Sequence, residues 1–134
     1  MSKIKVSIVE DDAQARQILA GWLRSVDGFE CLGKHPSAEH ALEQLPREKP
    51  NVVLMDINLP GMTGVTLREQ MRELPLHKFT PAIFFTSHTE FEPQARAVSS
   101  AGDDFIAKPI LPIELTVKVT AHVLKRRLAE QSAH

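Results

Sequence analysis

The sequence predicts an α/β fold in which a parallel β-sheet carries helices on both faces. Five short runs of apolar and β-branched residues recur every 20 to 30 residues, and stretches with helical spacing separate them. Two runs, NVVLM (51–55) after its first residue and AIFF (82–85), are continuously apolar, as is typical of strands buried on both faces. Strictly alternating strands and helices joined by right-handed crossovers give a parallel sheet.

Each element has its own sequence signal. The predicted strands are IKVSIV (4–9), FECLG (29–33), NVVLM (51–55), AIFF (82–85) and DFIA (104–107). The predicted helices carry apolar stripes at Ile18, Leu19, Trp22, Leu23 and Val26; at Ala38, Ala41, Leu42 and Leu45; at Val65, Leu67, Met71 and Leu74; at Ala95, Ala97 and Val98; and at Leu115, Val119, His122 and Val123. Gly28 is expected to close the first helix, Ser37 to cap the second, and Pro112 to lie in the first turn of the last.

Length and composition indicate one soluble domain. The chain has 134 residues, 43% of them hydrophobic, and a net charge of −1, which points to no polyanionic partner. We expect one domain over residues 1–125, with 126–134 as the end of the last helix or the start of a linker. Whether the chain is a single-domain protein or part of a longer one stays open, and no direct nucleic-acid binding is expected of this segment.

Other features argue for the cytoplasm. The single cysteine, Cys31, excludes an internal disulfide, and the acidic start of the chain is unlike a signal peptide. No apolar run approaches the roughly 18 residues of a membrane span. The six histidines lack zinc-site spacing, and we interpret them as surface residues.

Polar side chains follow four of the five predicted strands. They are Glu10, Asp11 and Asp12 after the first, Asp56 after the third, Thr86 and Ser87 after the fourth, and Lys108 after the fifth. Taken singly, Asp12 is most simply a helix cap and Lys108 a surface lysine. Because ligands bind at the carboxyl ends of parallel strands, the set together predicts a site for a divalent cation and a phosphoryl group.

The strings VEDD (9–12), LMDINLPGMTG (54–64), FFTS (84–87) and DDFIAKP (103–109) resemble the receiver domain of two-component response regulators. The resemblance covers about residues 3–125 in order. It implies a flavodoxin-like doubly wound sheet of strand order 2-1-3-4-5.

The resemblance also implies roles for individual residues. Asp56 would accept the phosphoryl group, while Glu10, Asp11, Asp56 and the backbone carbonyl of Asn58 would hold Mg²⁺. Thr86 would be the switch hydroxyl and Phe105 the switch aromatic. Lys108 would be the phosphoryl-binding lysine, followed by a cis peptide at Pro109. Asn58 and His88 would tune the lifetime of the phosphorylated state.

By the same resemblance, the chain would be a signalling switch and not an enzyme. It would receive its phosphoryl group from a histidine kinase or phosphotransfer protein. The output surface would comprise the fourth helix (about 90–100), the fifth strand and the fifth helix (112–125), where a homodimer or an output partner would bind. Two departures from the family pattern are the order Ala101-Gly102 before Asp103, and Ile110 where an aromatic residue is common.

Three other functions fit the residues less well. A phosphohydrolase with an aspartyl-phosphate intermediate needs an Asp-x-Asp pair, but Asn58 stands two places after Asp56. A flavin-binding module needs Gly, Ser and Thr amides in its first loop, where this chain reads EDDAQ. A receiver-like module that is never phosphorylated would not need Asp56, Thr86 and Lys108 together.

Overall fold

A computed structural model shows a five-stranded parallel sheet of order β2-β1-β3-β4-β5, which confirms the predicted fold class. The structure describes residues 3–86, 104–107 and 110–132. The strands are β1 (Ile4–Val9), β2 (Phe29–His35), β3 (Val52–Asp56), β4 (Ala82–Thr86) and β5 (Asp104–Ala107). Strands β3 and β4 each run one residue further than predicted, so Asp56 and Thr86 are the last residues of their strands.

The helices are α1 (Ala13–Ser25), α2 (Ala38–Gln44), α3 (Gly64–Met71) and a C-terminal helix (Pro112–Ser132), with a short 3₁₀ turn at Pro75–His77 that was not predicted. Asp12, Ser37 and Thr63 cap the N-termini of α1, α2 and α3 with their side chains. The C-terminal helix continues past the expected domain limit at residue 125. The predicted fourth helix lies outside the described residues.

The sheet divides the core into two layers. Alternate residues of β3 point to opposite faces, so that Leu54 joins the layer beneath α1 and the C-terminal helix, while Met55 joins the layer beneath α2 and α3. All of β3 is buried, as its unbroken apolar sequence predicted. The stripe predicted for α1 is correct for Leu19 and Leu23 but wrong for Ile18, whose side chain is 64% exposed.

The interpretation of the histidines as surface residues is wrong for His35 and His77, each of which is 1% exposed. Nδ1 of the His77 ring lies 3.2 Å from Thr80 Oγ1, and Nε2 of the same ring lies 2.5 Å from the Leu45 carbonyl oxygen. The ring therefore joins the 3₁₀ turn to the end of α2. Partners of this kind make a buried histidine tolerable, and one of them, the Leu45 carbonyl, lies 32 positions away, too far along the chain for spacing to reveal it.

His35 belongs to a polar group between the sheet and α2. Its Nε2 lies 3.0 Å from Glu48 Oε1, and its Nδ1 lies 2.9 Å from Nδ1 of His40. Burial lowers the pKa of His35, and the hydrogen bond to Glu48 opposes that shift. Ser7 Oγ donates to the same Glu48 oxygen at 2.9 Å. The Glu48 carboxylate occupies the space of a side chain at Gly33, since a Cβ there would lie 2.5 Å from either carboxylate oxygen.

None of the helices in the described part of the chain combines the length and the apolar character that crossing a membrane requires.

Candidate functional site

Three carboxylates meet at the carboxyl edge of the sheet. Val9 of β1 pairs with Met55 of β3, so the residues that follow them emerge side by side. Ligand oxygens of Glu10, Asp11 and Asp56 all lie within 4.8 Å of one another. The structure therefore brings together the three acidic side chains that the sequence assigned to one site.

Hydrogen bonds to the backbone of Glu10 fix the turn that carries the first two acids. The Glu10 amide donates to the His35 carbonyl at 3.0 Å, and Arg16 Nη1 donates to the Glu10 carbonyl at 2.7 Å. Glu10 is 2% exposed, whereas Asp11 is exposed. Asp12 has a different role, because its Oδ1 accepts from the amides of Gln14 and Ala15 at the start of α1. The prediction that Asp12 is a helix cap is confirmed.

Asp56 lies at the buried mouth of β3, with 7% of its surface exposed. Its Oδ1 accepts the Asn58 amide at 2.9 Å, which orients the carboxylate within the turn that follows the strand. The Gly64 amide donates to the Ile57 carbonyl at 2.9 Å and closes the loop. Gly61 has φ +81°, a left-handed conformation that favours glycine.

Gly64 is required by its close contact with the end of β3. A Cβ at this position would lie 2.6 Å from the Asp56 carbonyl oxygen and 3.0 Å from Ile57 Cα. These are backbone atoms that cannot rotate aside. The glycine therefore allows the start of α3 to approach the residue that carries the carboxylate.

The charges at this edge indicate what the site can bind. Three carboxylates at such short separations repel one another, and a cation among them removes the repulsion. Carboxylate and carbonyl oxygens are the ligands that Mg²⁺ and Ca²⁺ prefer. The residues present fit a hard divalent cation, with Asp11 on the solvent side of the group.

Of the other predicted site residues, the structure describes Asn58, Phe105 and the backbone of Thr86. The backbone of Thr86 ends β4 and pairs with Ala107, so residue 86 lies beside the strand end that leads to Lys108. The side chain of Thr86 is not described, and Lys108, Pro109 and His88 lie outside the described residues. Asn58 is exposed and contributes its amide to Asp56.

Phe105 lies in β5, half-buried against the layer beneath α2 and α3. Lys118 of the C-terminal helix contacts this residue twice, since its Nζ lies 5.6 Å from the ring centroid and donates to the Phe105 carbonyl at 2.8 Å. The same Nζ is 3.5 Å from an Asp104 carboxylate oxygen. Sequence reasoning gave Lys118 no role, because only the fold brings it to β5.

Asp104 is held in its charged form by the C-terminal helix. Burial opposes ionisation, but the hydrogen bonds from His122 and from the Phe105 amide, together with the charge of Lys118, outweigh it and lower the pKa of Asp104. His122 Nε2 lies 3.1 Å from Asp104 Oδ2. The fifth strand and the last helix are thus joined by an ionic contact as well as by packing.

Comparison with known proteins decides the family. The family model for the response regulator receiver domain matches residues 6–120. The chain belongs to this family.

Curated relatives place the receiver domain in proteins of different length. This chain is 32% identical over 122 residues to the phosphate regulon transcriptional regulatory protein PhoB of Pseudomonas aeruginosa. The alignment covers 90% of this chain and 52% of that protein. A Methanococcus maripaludis protein-glutamate methylesterase/protein-glutamine glutaminase is 29% identical over 98% of this chain and 36% of its own length. An uncharacterized 14.6 kDa protein of Leptolyngbya boryana is 31% identical, with 92% of this chain and 93% of that protein aligned.

Solved structures agree with the fold of the receiver domain. A response regulator receiver domain protein from Clostridium thermocellum has a TM-score of 0.83 at 18% identity, covering 96% of this chain and 99% of that one. The receiver domain of a Pseudomonas aeruginosa sensor histidine kinase, solved with a magnesium ion coordinated in its active-site cleft, has a TM-score of 0.79 at 22% identity, with 91% and 98% covered.

Gly64→Ala is expected to destabilise the receiver domain, because the new methyl group would overlap the Asp56 and Ile57 backbone. We expect the free energy of unfolding to fall by about 2 kcal/mol in urea denaturation. The matched control is Gly21→Ala in α1, where nothing lies within 4 Å of the added Cβ. That variant should be up to about 1 kcal/mol more stable, because alanine favours helix. Equal stability of Gly64→Ala and the unchanged chain would contradict the contact argument.

Proposed function

We propose that this receiver domain is a phosphorylation-dependent switch of a two-component system, with Asp56 as its phosphoacceptor. The observation that carries the proposal is the grouping of Glu10, Asp11 and Asp56 within 4.8 Å, at the end of a fully buried strand. Asp56 is the member of this group that ends that strand. The donor would be a histidine kinase or a phosphotransfer protein, and a small-molecule phosphodonor would serve in its place in vitro.

In the proposed reaction an Asp56 carboxylate oxygen attacks the phosphorus atom of a phosphohistidine. The new oxygen–phosphorus bond forms as the phosphorus–nitrogen bond breaks, and the electron pair of that bond returns to the imidazole nitrogen. The Asn58 amide, bonded to Asp56 Oδ1, fixes the direction of the carboxylate during the attack. Water later hydrolyses the acyl phosphate, so the chain is a timed switch and not a turnover enzyme.

The metal in this proposal is Mg²⁺, held by Glu10, Asp11, Asp56 and the backbone carbonyl of Asn58. When bound, it would neutralise negative charge on the acceptor and on the transferring oxygens. The Lys108 ammonium would pair with a phosphoryl oxygen, an interaction that strengthens as negative charge is added. Asn58 and His88 would control the approach of water, which dephosphorylation rates of Asn58→Lys and His88→Lys variants would test.

The output side of the proposal rests on Thr86 and Phe105. A phosphoryl oxygen offers the Thr86 hydroxyl a charged acceptor, and its movement would leave space for the Phe105 ring to turn inward. Lys118 already contacts Phe105, so the C-terminal helix would register the change. Exposed apolar side chains on that helix, such as Val117 and Leu124, suit a homodimer or an output partner. We place this activity in the cytoplasm.

Asp56→Asn is expected to abolish phosphorylation, because an amide cannot act as the nucleophile. The measurement is intact mass after incubation with acetyl phosphate and Mg²⁺, where the unchanged chain should gain one phosphoryl group. Asp12→Asn, which removes the same charge from the helix cap, should label as the unchanged chain does. A phosphoryl mass on Asp56→Asn would show that the acceptor lies elsewhere.

Mg²⁺ affinity is expected to depend on Asp11 far more than on Asp12. Asp11→Asn removes a carboxylate of the three-acid group and should weaken binding at least about tenfold. Asp12→Asn should leave the affinity nearly unchanged, because asparagine is an equally good N-cap. Isothermal titration with MgCl₂ measures both, and equal losses in the two variants would contradict the ligand assignment.

Phosphorylation is expected to alter amide exchange well beyond the loops around Asp56. With beryllium fluoride as the phosphoryl mimic, β5 and the C-terminal helix should change protection in the unchanged chain. The response should be much reduced in Thr86→Ala, which lacks the hydroxyl. Changes confined to the Asp56 loops, or a full response in Thr86→Ala, would exclude this route of transmission.

A further inference from the structure

A cavity lined by basic residues lies at the end of the sheet opposite Asp56, where β4 begins. Thr80 and Pro81, which precede β4, line it together with Ala129 on the last turns of the C-terminal helix. Its volume is about 710 Å³, within the range of roughly 300 to 1,000 Å³ that small-molecule sites occupy. No part of the three-acid group contributes to its lining.

Basic side chains outnumber acidic ones among the described residues of the cavity. They come from three segments and are Arg68, Arg72, Lys78, Lys125 and Arg126. Arg68 and Arg72 also interact within the protein, and Arg68 is buried. The described lining residues include one carboxylate, Glu130, whose Oε1 accepts from Arg126 Nε at 3.2 Å. A smaller cavity of about 220 Å³ shares Arg126 and adds Lys49 and Arg127. This concentration of charge contrasts with the net charge of −1 for the whole chain.

An aromatic ring stands beside these cations. Phe79 is 74% exposed, although a phenylalanine ordinarily gains stability by burial. Lys78 Nζ lies 5.6 Å from the centroid of its ring. The ring offers a stacking surface for a flat ligand within the same cavity.

One of the cations is held in position from within the fold. Arg126 Nη1 lies 3.4 Å from Thr80 Oγ1, so the C-terminal helix is tied to the segment before β4. Thr80 Oγ1 is also 3.2 Å from Nδ1 of the buried His77. A guanidinium fixed in this way loses less conformational entropy when it binds an anion.

We propose that this cavity binds a free nucleotide, with its phosphates on the basic side chains and its base stacked on Phe79. The volume of the cavity suits a small ligand, and the combination of clustered cations with an exposed ring matches the two parts of a nucleotide. The proposal does not depend on phosphorylation of Asp56, which lies at the other edge of the sheet.

The test is calorimetric titration of the full chain with ATP in metal-free buffer at low salt. ATP is expected to bind with a dissociation constant below about 1 mM. Lys125→Gln should weaken binding by about tenfold, and higher salt should weaken it in the unchanged chain. Phe79→Ala should weaken ATP binding but leave binding of inorganic tripolyphosphate unchanged, because only the nucleotide has a base to stack.

Controls separate this site from general charge effects. Lys34→Gln removes an exposed lysine from β2, outside the cavity, and should not change ATP affinity. Asp56→Asn should also bind ATP normally, so failure of the phosphoacceptor proposal and failure of this one are distinguishable.

Three results would overturn the proposal. The first is absence of ATP binding, whether or not a single-stranded oligonucleotide binds. The others are weakening by Lys34→Gln equal to that by Lys125→Gln, and tripolyphosphate binding as tight as that of ATP with no effect of Phe79→Ala.

Discussion

Repulsion among Glu10, Asp11 and Asp56 is the constraint around which the carboxyl edge of this receiver domain is built. Two unit charges at the separations seen here repel by about 3 to 4 kcal/mol at an effective dielectric constant of about 20. The surrounding backbone bonds hold the acids together in spite of that cost. The His35 carbonyl fixes the Glu10 turn, and the Asn58 amide fixes the Asp56 carboxylate. Carboxylates clustered in this way make the site receptive to a cation.

Strand order makes the grouping possible. Because β1 and β3 are neighbours in the sheet, acids separated by more than forty positions in the chain leave the sheet side by side. The contact between Gly64 and the Asp56 backbone then places the start of α3 against the same strand end. The positive end of a helix dipole lies at the N-terminus, so this packing also favours negative charge nearby.

The sequence could predict these features because they depend on local patterns. Unbroken apolar runs identify β3 and β4, and a carboxylate directly after a buried strand identifies Asp56 as exceptional. Contacts between distant segments could not be predicted in the same way. The burial of His35 depends on Glu48, thirteen positions away in the segment after α2, and the contact of Lys118 with Phe105 depends on how the last helix lies on the sheet. Such partners become visible only when the layers are assembled.

The Glu48 carboxylate, lying where Gly33 lacks a side chain, has a consequence for sequence change in this lineage. Any larger residue at position 33 would displace Glu48 and deprive buried Ser7 and His35 of their shared acceptor. Shortening Glu48 alone would leave the buried Ser7 and His35 without this acceptor. Each unsatisfied group would lower the free energy of unfolding by about 1 to 3 kcal/mol. Neither position can therefore drift freely on its own. Related chains should keep both Gly33 and Glu48 or replace both. Where both are replaced, apolar residues should stand in place of His35 and Ser7.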